Sequence, residues 1–544
     1  MNGGELLVET LRSRDVDTVF FVAGGTYITV MEALSRRQDE IRAVATRLES
    51  SAMFAAEAYA AIKRKPACVF VSRAPGASNA TIGVHNAMQS SRPVVLFVAN
   101  IPRPMRQREA FQEIDYALMY QPVAKRVFDV NSFDELPFVV ARALDLAVSG
   151  RPGPVVVSVS KDVLDGKTGE LPVPARPATV RMAPEPAALR EAAALIDRAE
   201  RPLLLAGELV ATEGEHQALA GFAEKTGVGV LAAYRQQDIL DNTHPAWLGQ
   251  LTLNRTPHVE RAIAESDLII SIGSRLDSVT TGDYSILQPQ HRFIMAYPEA
   301  NEFAQWQPDV ALGSHSGPVL RALTEACAAA SAARRQWRDA AHAAEVEFAS
   351  PGDFQTHGAV NMARVMAIYD KRVPKNAISV SDAGTFGRWL HRFYVHTQPD
   401  TSLGPVSGAM GYGVPGGIGA AVAAPGRPVF VWVGDGGFLM TGQEAAAAVQ
   451  EGLPIKIIVC DNNCWGSILV SQQSRFPGWQ FGTALKSPDF AALGAAYGMA
   501  SFVVEASEQF EEALAGAMTH DGPALIHLKL DARDVSPYSG PAAG

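Results

Sequence analysis

Apolar and polar residues follow one another along this chain in blocks, and the block lengths separate strands from helices. Between positions 429 and 466 two apolar runs, 429–433 and 455–460, each end in a polar cluster. A helical pattern beginning after Thr441-Gly442 lies between them. That order predicts a β-α-β unit whose parallel strands open at their carboxyl ends onto one crevice. The scheme recurs. An amphipathic helix at the amino end leads into a strand at 19–23, and further strands are predicted at 41–46, 67–72, 94–99 and 155–159. Others follow at 202–206, 229–232, 268–272 and 292–296, then at 377–381 and 523–529. Continuous Val/Ile/Leu/Phe runs separated by helices imply parallel sheets covered on both faces.

The blocks group into three αβ domains, at 1–165, 186–330 and 356–535, so the fold class is α/β with mostly parallel sheets. Residues 166–186 are rich in proline and lack a period, which predicts a linker. The alanine-rich, charged stretch 326–348 predicts an exposed helix whose charges form a solvated face. The tail from Asp534 onward reads as loose.

A chain of 544 residues, 47% hydrophobic, is long enough for about three domains with real cores. A net charge of −10, with Lys and Arg scattered, gives no nucleic acid a footprint. No apolar run reaches membrane-spanning length and the amino end is not a signal peptide, so no membrane association is expected and the cytoplasm is the expected location. Four cysteines (Cys68, Cys327, Cys460, Cys464) do not make a disulfide framework. Cys460 reads as strand core, not as a metal ligand.

The polar clusters carry the chemistry. Gly434-Asp435-Gly436-Gly437 ends the first strand of the β-α-β unit and Asp461-Asn462-Asn463 ends the second. A hard cation such as Mg²⁺ takes oxygen ligands, few of them from protein, and one carboxylate beside one amide oxygen meets that demand. Glycines around Asp435 let backbone N–H groups approach a diphosphate. The spacing of Gly-Asp-Gly from Asn462 resembles the signature of thiamine diphosphate (ThDP) enzymes. The layout of three αβ regions resembles the ThDP-dependent decarboxylase and carboligase superfamily, acetohydroxyacid (acetolactate) synthases among them. The resemblance implies a pyrimidine-binding domain, a middle Rossmann-like domain and a diphosphate-binding domain, in that order. It also implies Asp435, Asn462 and the backbone carbonyl of Cys464 as metal ligands, with Asn463 as the alternative to Asn462.

ThDP must be bound, bent and deprotonated, and then serves as electron sink. The resemblance implies Glu49 as the group that bonds the aminopyrimidine ring and promotes loss of the C2 proton. Glu49 precedes a helix rich in Ala, Met and Phe, surroundings that suit a proton relay near neutrality. Taken alone, a glutamate before a helix is usually capping or solvated. Leu48 stands where family members often have histidine. The resemblance further places Gly384, Thr385, Phe386, Gly436 and Gly437 at the diphosphate, and Pro75 and Asn79 against the pyrimidine. It assigns the carbonyl of Gly408 and the amide of Met410 to the pyrimidine edge, with the Met410 side chain wedged between the rings. A core methionine in a helix-start loop is the competing reading. In this superfamily the first domain of one subunit faces the third domain of another. Glu49 and Asp435 would then meet one coenzyme only across an interface, so a homodimer is the minimum and a homotetramer the expected assembly.

Gly24, Gly25, Thr26, Tyr27, Asn100, Phe111 and Gln112 occupy positions that line the reaction pocket in relatives. Two departures bear on the second substrate: Ser471 stands where the biosynthetic synthases carry tryptophan, and Val279 where they carry arginine. The middle domain reads LLLAGELVA where FAD-binding relatives often have a glycine triplet, and Glu208 there would meet a diphosphate with like charge. FAD is therefore admitted but disfavoured. The expected activity is ThDP- and Mg²⁺-dependent cleavage of a 2-oxo acid with transfer of the acyl unit to an aldehyde or ketone. Alternatives are simple decarboxylation, or cleavage of a 2-hydroxyacyl thioester or a diketone. A non-catalytic ThDP-binding regulator is a further class, and a dehydrogenase lacks its GxGxxG.

Overall fold

The computed structural model of the chain describes residues 1–538 apart from 168–170, 179 and 253. Three six-stranded sheets carry the fold. The first contains β1 (Thr18–Phe21), β2 (Arg42–Ala45), β3 (Ala67–Val71), β4 (Val94–Asn100), β5 (Arg126–Val130) and β6 (Val155–Ser160). The second contains β7 (Pro202–Ala206), β8 (Gly229–Ala232), β9 (Trp247–Gln250), β10 (Leu268–Ile272), β11 (Arg292–Tyr297) and β12 (Val310–Gly313). The third contains β13 (Ile378–Ser381), β14 (Ser402–Leu403), β15 (Val429–Gly434), β16 (Lys456–Asp461), β17 (Ala500–Val504) and β18 (Ala524–Lys529). Every strand pairing is parallel.

The first sheet runs β2-β1-β3-β4-β6-β5 and the third β14-β13-β15-β16-β18-β17, the same order offset by twelve strands. The middle sheet runs β12-β11-β10-β7-β8-β9, the doubly wound order that binds dinucleotides in other proteins. In each sheet a crevice opens beyond the carboxyl ends of two adjacent strands whose connections leave in opposite directions: β1/β3, β7/β10 and β13/β15.

The first and third domains share one apolar core, from Phe20, Val69 and Leu96 to Val431, Ile457 and Leu525. Helix Glu49–Lys63 packs along helix Gly413–Ala423, and both are rich in Ala and Gly. A side chain at Gly419 would place its Cβ 2.0 Å from the Ala55 carbonyl oxygen, so only glycine permits this approach. Phe54 meets Tyr412 edge to face at 5.5 Å across the same seam.

Three expectations are corrected. The helix after β15 begins at Asp435 itself (Asp435–Thr441), well before Thr441-Gly442; the glycines that mask its pattern are low-propensity helix residues. The charged helix spans Ala332–Ala349, and Arg334 and Arg338 on it are buried. Arg334 donates to the carbonyls of Thr226, Ile196 and Asp197 at 2.9–3.1 Å and so caps the last turns of two middle-domain helices, Pro186–Arg198 and His216–Thr226. The tail is not loose as far as Pro537: Asp534, Val535 and Ser536 are buried, and Asp534 accepts the backbone N–H groups of His357 and Gly358. Residues 539–544 of that tail lie outside the described residues. The stretch read as a linker has no helix or strand between 171 and 178 or between 180 and 185, and its residues 168–170 and 179 lie outside the described residues.

Candidate active site

A cavity of about 110 Å³ opens at the β13/β15 crevice. Loop 383–386 after β13, the segment 434–437 ending β15, and Asn462 and Cys464 after β16 line it, with Met410 and Trp465. Thus Gly384, Thr385, Phe386, Met410, Asp435, Gly436, Gly437, Asn462 and Cys464 are brought together from four segments. Glycine is required twice here for space. A Cβ at Gly436 would lie 2.2 Å from the Trp465 ring, and one at Gly437 2.8 Å from Asp382 Oδ2. Gly408 sits apart from the lining, exposed and with a positive φ of 73°.

Asn462 faces this cavity and its Oδ1 accepts the Cys464 N–H at 3.2 Å. Asn463 adopts φ +54° and turns its Oδ1 to the Ser487 N–H at 3.1 Å, away from the cavity lining. The two candidates are therefore distinguished by direction. Among the described residues no group of three or more His, Cys, Asp or Glu could hold a metal ion, so any cation here would rely on Asp435 together with amide and carbonyl oxygens.

Two carboxylates adjoin at this point. Burial pushes the Asp435 carboxyl up to about 6, and neighbouring Asp461 adds to the rise. For Asp461 burial works in the same sense, but hydrogen bonds from His527, Ser487 and the Asn463 N–H outweigh it and hold the group below the usual range.

A second cluster occupies the β1/β3 crevice. Glu49 is the first residue of its helix, Asn79 Nδ2 donates to its Oε2 at 2.9 Å, and a Cβ at Gly76 would lie 2.9 Å from its Oε1. Pro75 and Asn79 are exposed on helix Ala74–Gln89 beside it. Thr26 Oγ1 meets Ser72 Oγ at 2.8 Å, Gly24 packs on the same serine, and Gly25 faces open space. Glu49 is not among the residues lining the cavity of the third domain.

The remaining substrate candidates are dispersed. Tyr27 is a core residue: its ring packs by Phe70 and its hydroxyl donates to the Val22 carbonyl, leaving it nothing to offer a substrate. Asn100 is buried with its amide spent on Ser158 Oγ at 2.9 Å and the Ile101 N–H at 2.8 Å. Phe111 is 76% exposed and Gln112 follows it at φ +65° on a surface loop. Ser471 is exposed on helix Gly466–Arg475, its hydroxyl donating to the Ser467 carbonyl at 3.1 Å.

Three contributors escape sequence reasoning. Asp382, fully buried, accepts the N–H groups of Gly411 at 3.0 Å and Tyr412 at 3.2 Å, tying the β13 loop to the Met410 segment. Glu444, also fully buried, accepts the Arg47 N–H just ahead of Glu49. Val535 and Asp534 from the tail wall the cavity. A lone acidic residue after a strand was the only signal for Asp382. For the other two none existed.

At the β7/β10 crevice a Cβ at Gly207 would lie 2.3 Å from the Gly273 carbonyl oxygen, so the two strand ends touch. Glu208 is buried beside them, 3.2 Å from Ser91 Oγ, and burial raises its pKa against the pull of Arg275 and Arg151.

Comparison with known proteins matches each domain in turn. Residues 1–119 match the thiamine pyrophosphate enzyme N-terminal TPP binding domain, 189–323 the central domain and 382–528 the C-terminal TPP binding domain. The acetolactate synthase isozyme 2 large subunit of Escherichia coli K12 is 30% identical over 98% of this chain and 96% of its own length. The acetolactate synthase large subunit of Corynebacterium glutamicum is 30% identical over 97% and 86%. The probable acetolactate synthase large subunit of Methanocaldococcus jannaschii is 28% identical over 99% and 94%. Full-length similarity of this kind, on top of matched domains in matched order, shows that the chain belongs to the thiamine pyrophosphate-dependent carboligase and decarboxylase enzymes, and is acetolactate synthase-like.

Proposed function

We propose that this enzyme cleaves a 2-oxo acid with release of CO₂ and ligates the acyl unit to an aldehyde or ketone, using ThDP anchored by Mg²⁺. The observation that carries the reading is the meeting of Asp435, Asn462 and Cys464 with the glycine-lined segments 384–386 and 434–437 around one cavity. A carboxylate, an amide oxygen and a peptide carbonyl are the hard donors Mg²⁺ takes, and side-chain-free backbone suits a diphosphate. When bound, the coenzyme supplies the electron sink for the bond cleavage.

The chain's own part is placement and proton handling. Asp435, Asn462 and the Cys464 carbonyl would hold the cation, and Gly384, Thr385, Phe386, Gly436 and Gly437, which line the same cavity, would receive the diphosphate. When the coenzyme is bound, the Gly408 carbonyl and the Met410 amide and side chain would hold its aminopyrimidine part from the third domain, and Pro75 and Asn79 from the first domain of a second copy. Glu49, steadied by Asn79, holds and passes the proton at the aminopyrimidine. Gly24, Gly25 and Thr26 would leave space for the donor.

A cavity of about 110 Å³ is smaller than the roughly 300–1,000 Å³ that enclose a drug-sized ligand, so one chain covers only part of such a coenzyme. A second copy bringing Glu49 would complete the enclosure, which supports a homodimer at least and a homotetramer as its extension. Exposed Phe476, Trp479 and Phe481 in the third domain and Phe111 and Leu118 in the first are apolar surface that such an assembly would bury. Buried Glu208 and the close approach of Gly207 to Gly273 at the β7/β10 crevice leave FAD the less favoured reading. The four cysteines are free and no described helix can cross a membrane, which supports a cytoplasmic location.

Plain decarboxylation, or cleavage of a 2-hydroxyacyl thioester or diketone, is the second reading, favoured by the small exposed Ser471 where a ring would shape an acceptor site. One experiment separates the two. Purified protein with ThDP and Mg²⁺ is given a panel of 2-oxo acids, with and without an aldehyde, and assayed for CO₂ and for a chiral 2-hydroxy ketone. Ligation product supports the first reading. CO₂ and free aldehyde without ketone would overturn it.

A further inference from the structure

Asp461 takes no part in the proposed ligand set, yet its surroundings give that carboxylate a task. It is the last residue of β16, directly before Asn462, and is buried. His527 on the neighbouring strand β18 meets its Oδ2 through Nε2 at 2.9 Å, and the Phe490 ring packs edge to face on His527 at 5.2 Å. Both residues are almost wholly inaccessible, so the imidazole holds the carboxylate in one orientation. On the other side Ser487 Oγ donates to Asp461 Oδ1 at 2.7 Å and lies 3.5 Å from Asp435 Oδ2. The same Oδ1 accepts the N–H of Asn463, the residue in the left-handed turn between Asn462 and Cys464.

We propose that Asp461 is a positioning residue for the cation of this site: a second carboxylate, set one layer behind Asp435 by His527 and Ser487, whose charge tightens retention of a divalent metal. The inference rests on the reading of Asp435, Asn462 and Cys464 as the cation's ligands and goes beyond it. An asparagine at 461 could still accept from Asn463 or Ser487 through its amide oxygen. It would remove the charge and turn an N–H₂ toward His527. Groups that orient and polarise metal ligands from behind commonly change affinity by about 10- to 100-fold.

The test is a calorimetric titration of Mg²⁺ into the cation-free full-length protein at saturating ThDP, comparing the unaltered chain, Asp461→Asn and Ser487→Ala. Melting of each cation-free protein reports fold integrity. The expected result is a loss of Mg²⁺ affinity of about tenfold or more in Asp461→Asn, with an unchanged cation-free melting midpoint. Its Mg²⁺ affinity should also depend less on added NaCl, because one charge is gone. Ser487→Ala, which keeps the charge, should lose less. Equal Mg²⁺ affinity and equal salt dependence in Asp461→Asn would overturn this inference alone. So would a Ser487→Ala loss as large as that of Asp461→Asn, since the charge would then be irrelevant. No Mg²⁺ uptake by the unaltered protein would overturn the reading of the site, and this inference with it.

Discussion

Both carboxylate oxygens of Glu444 accept the backbone N–H of Arg47, at 3.0 and 3.1 Å, and so join the third domain to the turn that launches Glu49. Glu444 lies nine residues beyond Asp435 in the motif segment, and Arg47 two before Glu49. The placement of the proposed proton carrier therefore depends on a residue from the diphosphate side of the same chain. Glu444→Gln leaves one accepting oxygen of two and loses the charge. Because small misplacements of catalytic groups cost up to about a hundredfold, kcat should fall roughly ten- to a hundredfold. Steady-state kinetics should show little change in ThDP affinity.

Glu49→Gln should retain ThDP, since Asp435 and Asn462 are untouched, yet slow exchange of the bound coenzyme's C2 proton by orders of magnitude. Quenched-flow deuterium exchange followed by NMR measures this directly. Unchanged exchange would remove Glu49 from the proposed role.

Glu57, two turns further along the same helix, is buried, and burial raises its pKa from 4.5 to about 7 despite hydrogen bonds from Ser90 and Asn86 and the charge of Arg92. Asn86 passes the connection on, accepting the Ser407 hydroxyl at 2.6 Å in the segment that leads to Met410. Between 4.5 and about 7 the folded chain holds a proton that the unfolded chain has released. This group's contribution to stability therefore declines as pH rises through that window. Glu57→Gln keeps the acceptor for Asn86 and cannot ionise. Its stability relative to the unaltered protein should improve from pH 5 to pH 8, by a few kcal/mol at most, in denaturant titrations at each pH.

Gly419→Ala should loosen the seam between the first and third domains. Its Cβ would sit 2.0 Å from a backbone oxygen, which cannot swing away as a side chain could. Overpacking of this kind costs about 1–3 kcal/mol, read as a lower urea midpoint.

What was legible follows from burial on two faces. Strands inside the sheets, such as β7 and β15, are apolar from end to end and announce themselves. The five strands that the pattern did not reveal, β5, β9, β12, β14 and β17, all lie at sheet edges. β5 and β12 there mix exposed with buried positions, and β14 has two residues. At the site, Asp435 and Asn462 were visible because their spacing is local to one β-α-β unit. Glu444 was not, for the opposite reason: it finds its partner 397 positions away. Tyr27 misled because a hydroxyl beside two glycines looks available until the fold supplies the Val22 carbonyl.

The burial of segment 534–536 decides how the protein should be handled. Asp534 grips His357 through its N–H at 2.9 Å and Nδ1 at 2.9 Å, and a Cβ at Gly466 would strike Val535 at 2.6 Å. Truncating the chain at Arg533, or fusing a reporter there, would strip one wall from the cofactor compartment while sparing all three sheets. Such a derivative should look folded by circular dichroism and yet let ThDP escape, so a purification tag is better carried at the other terminus.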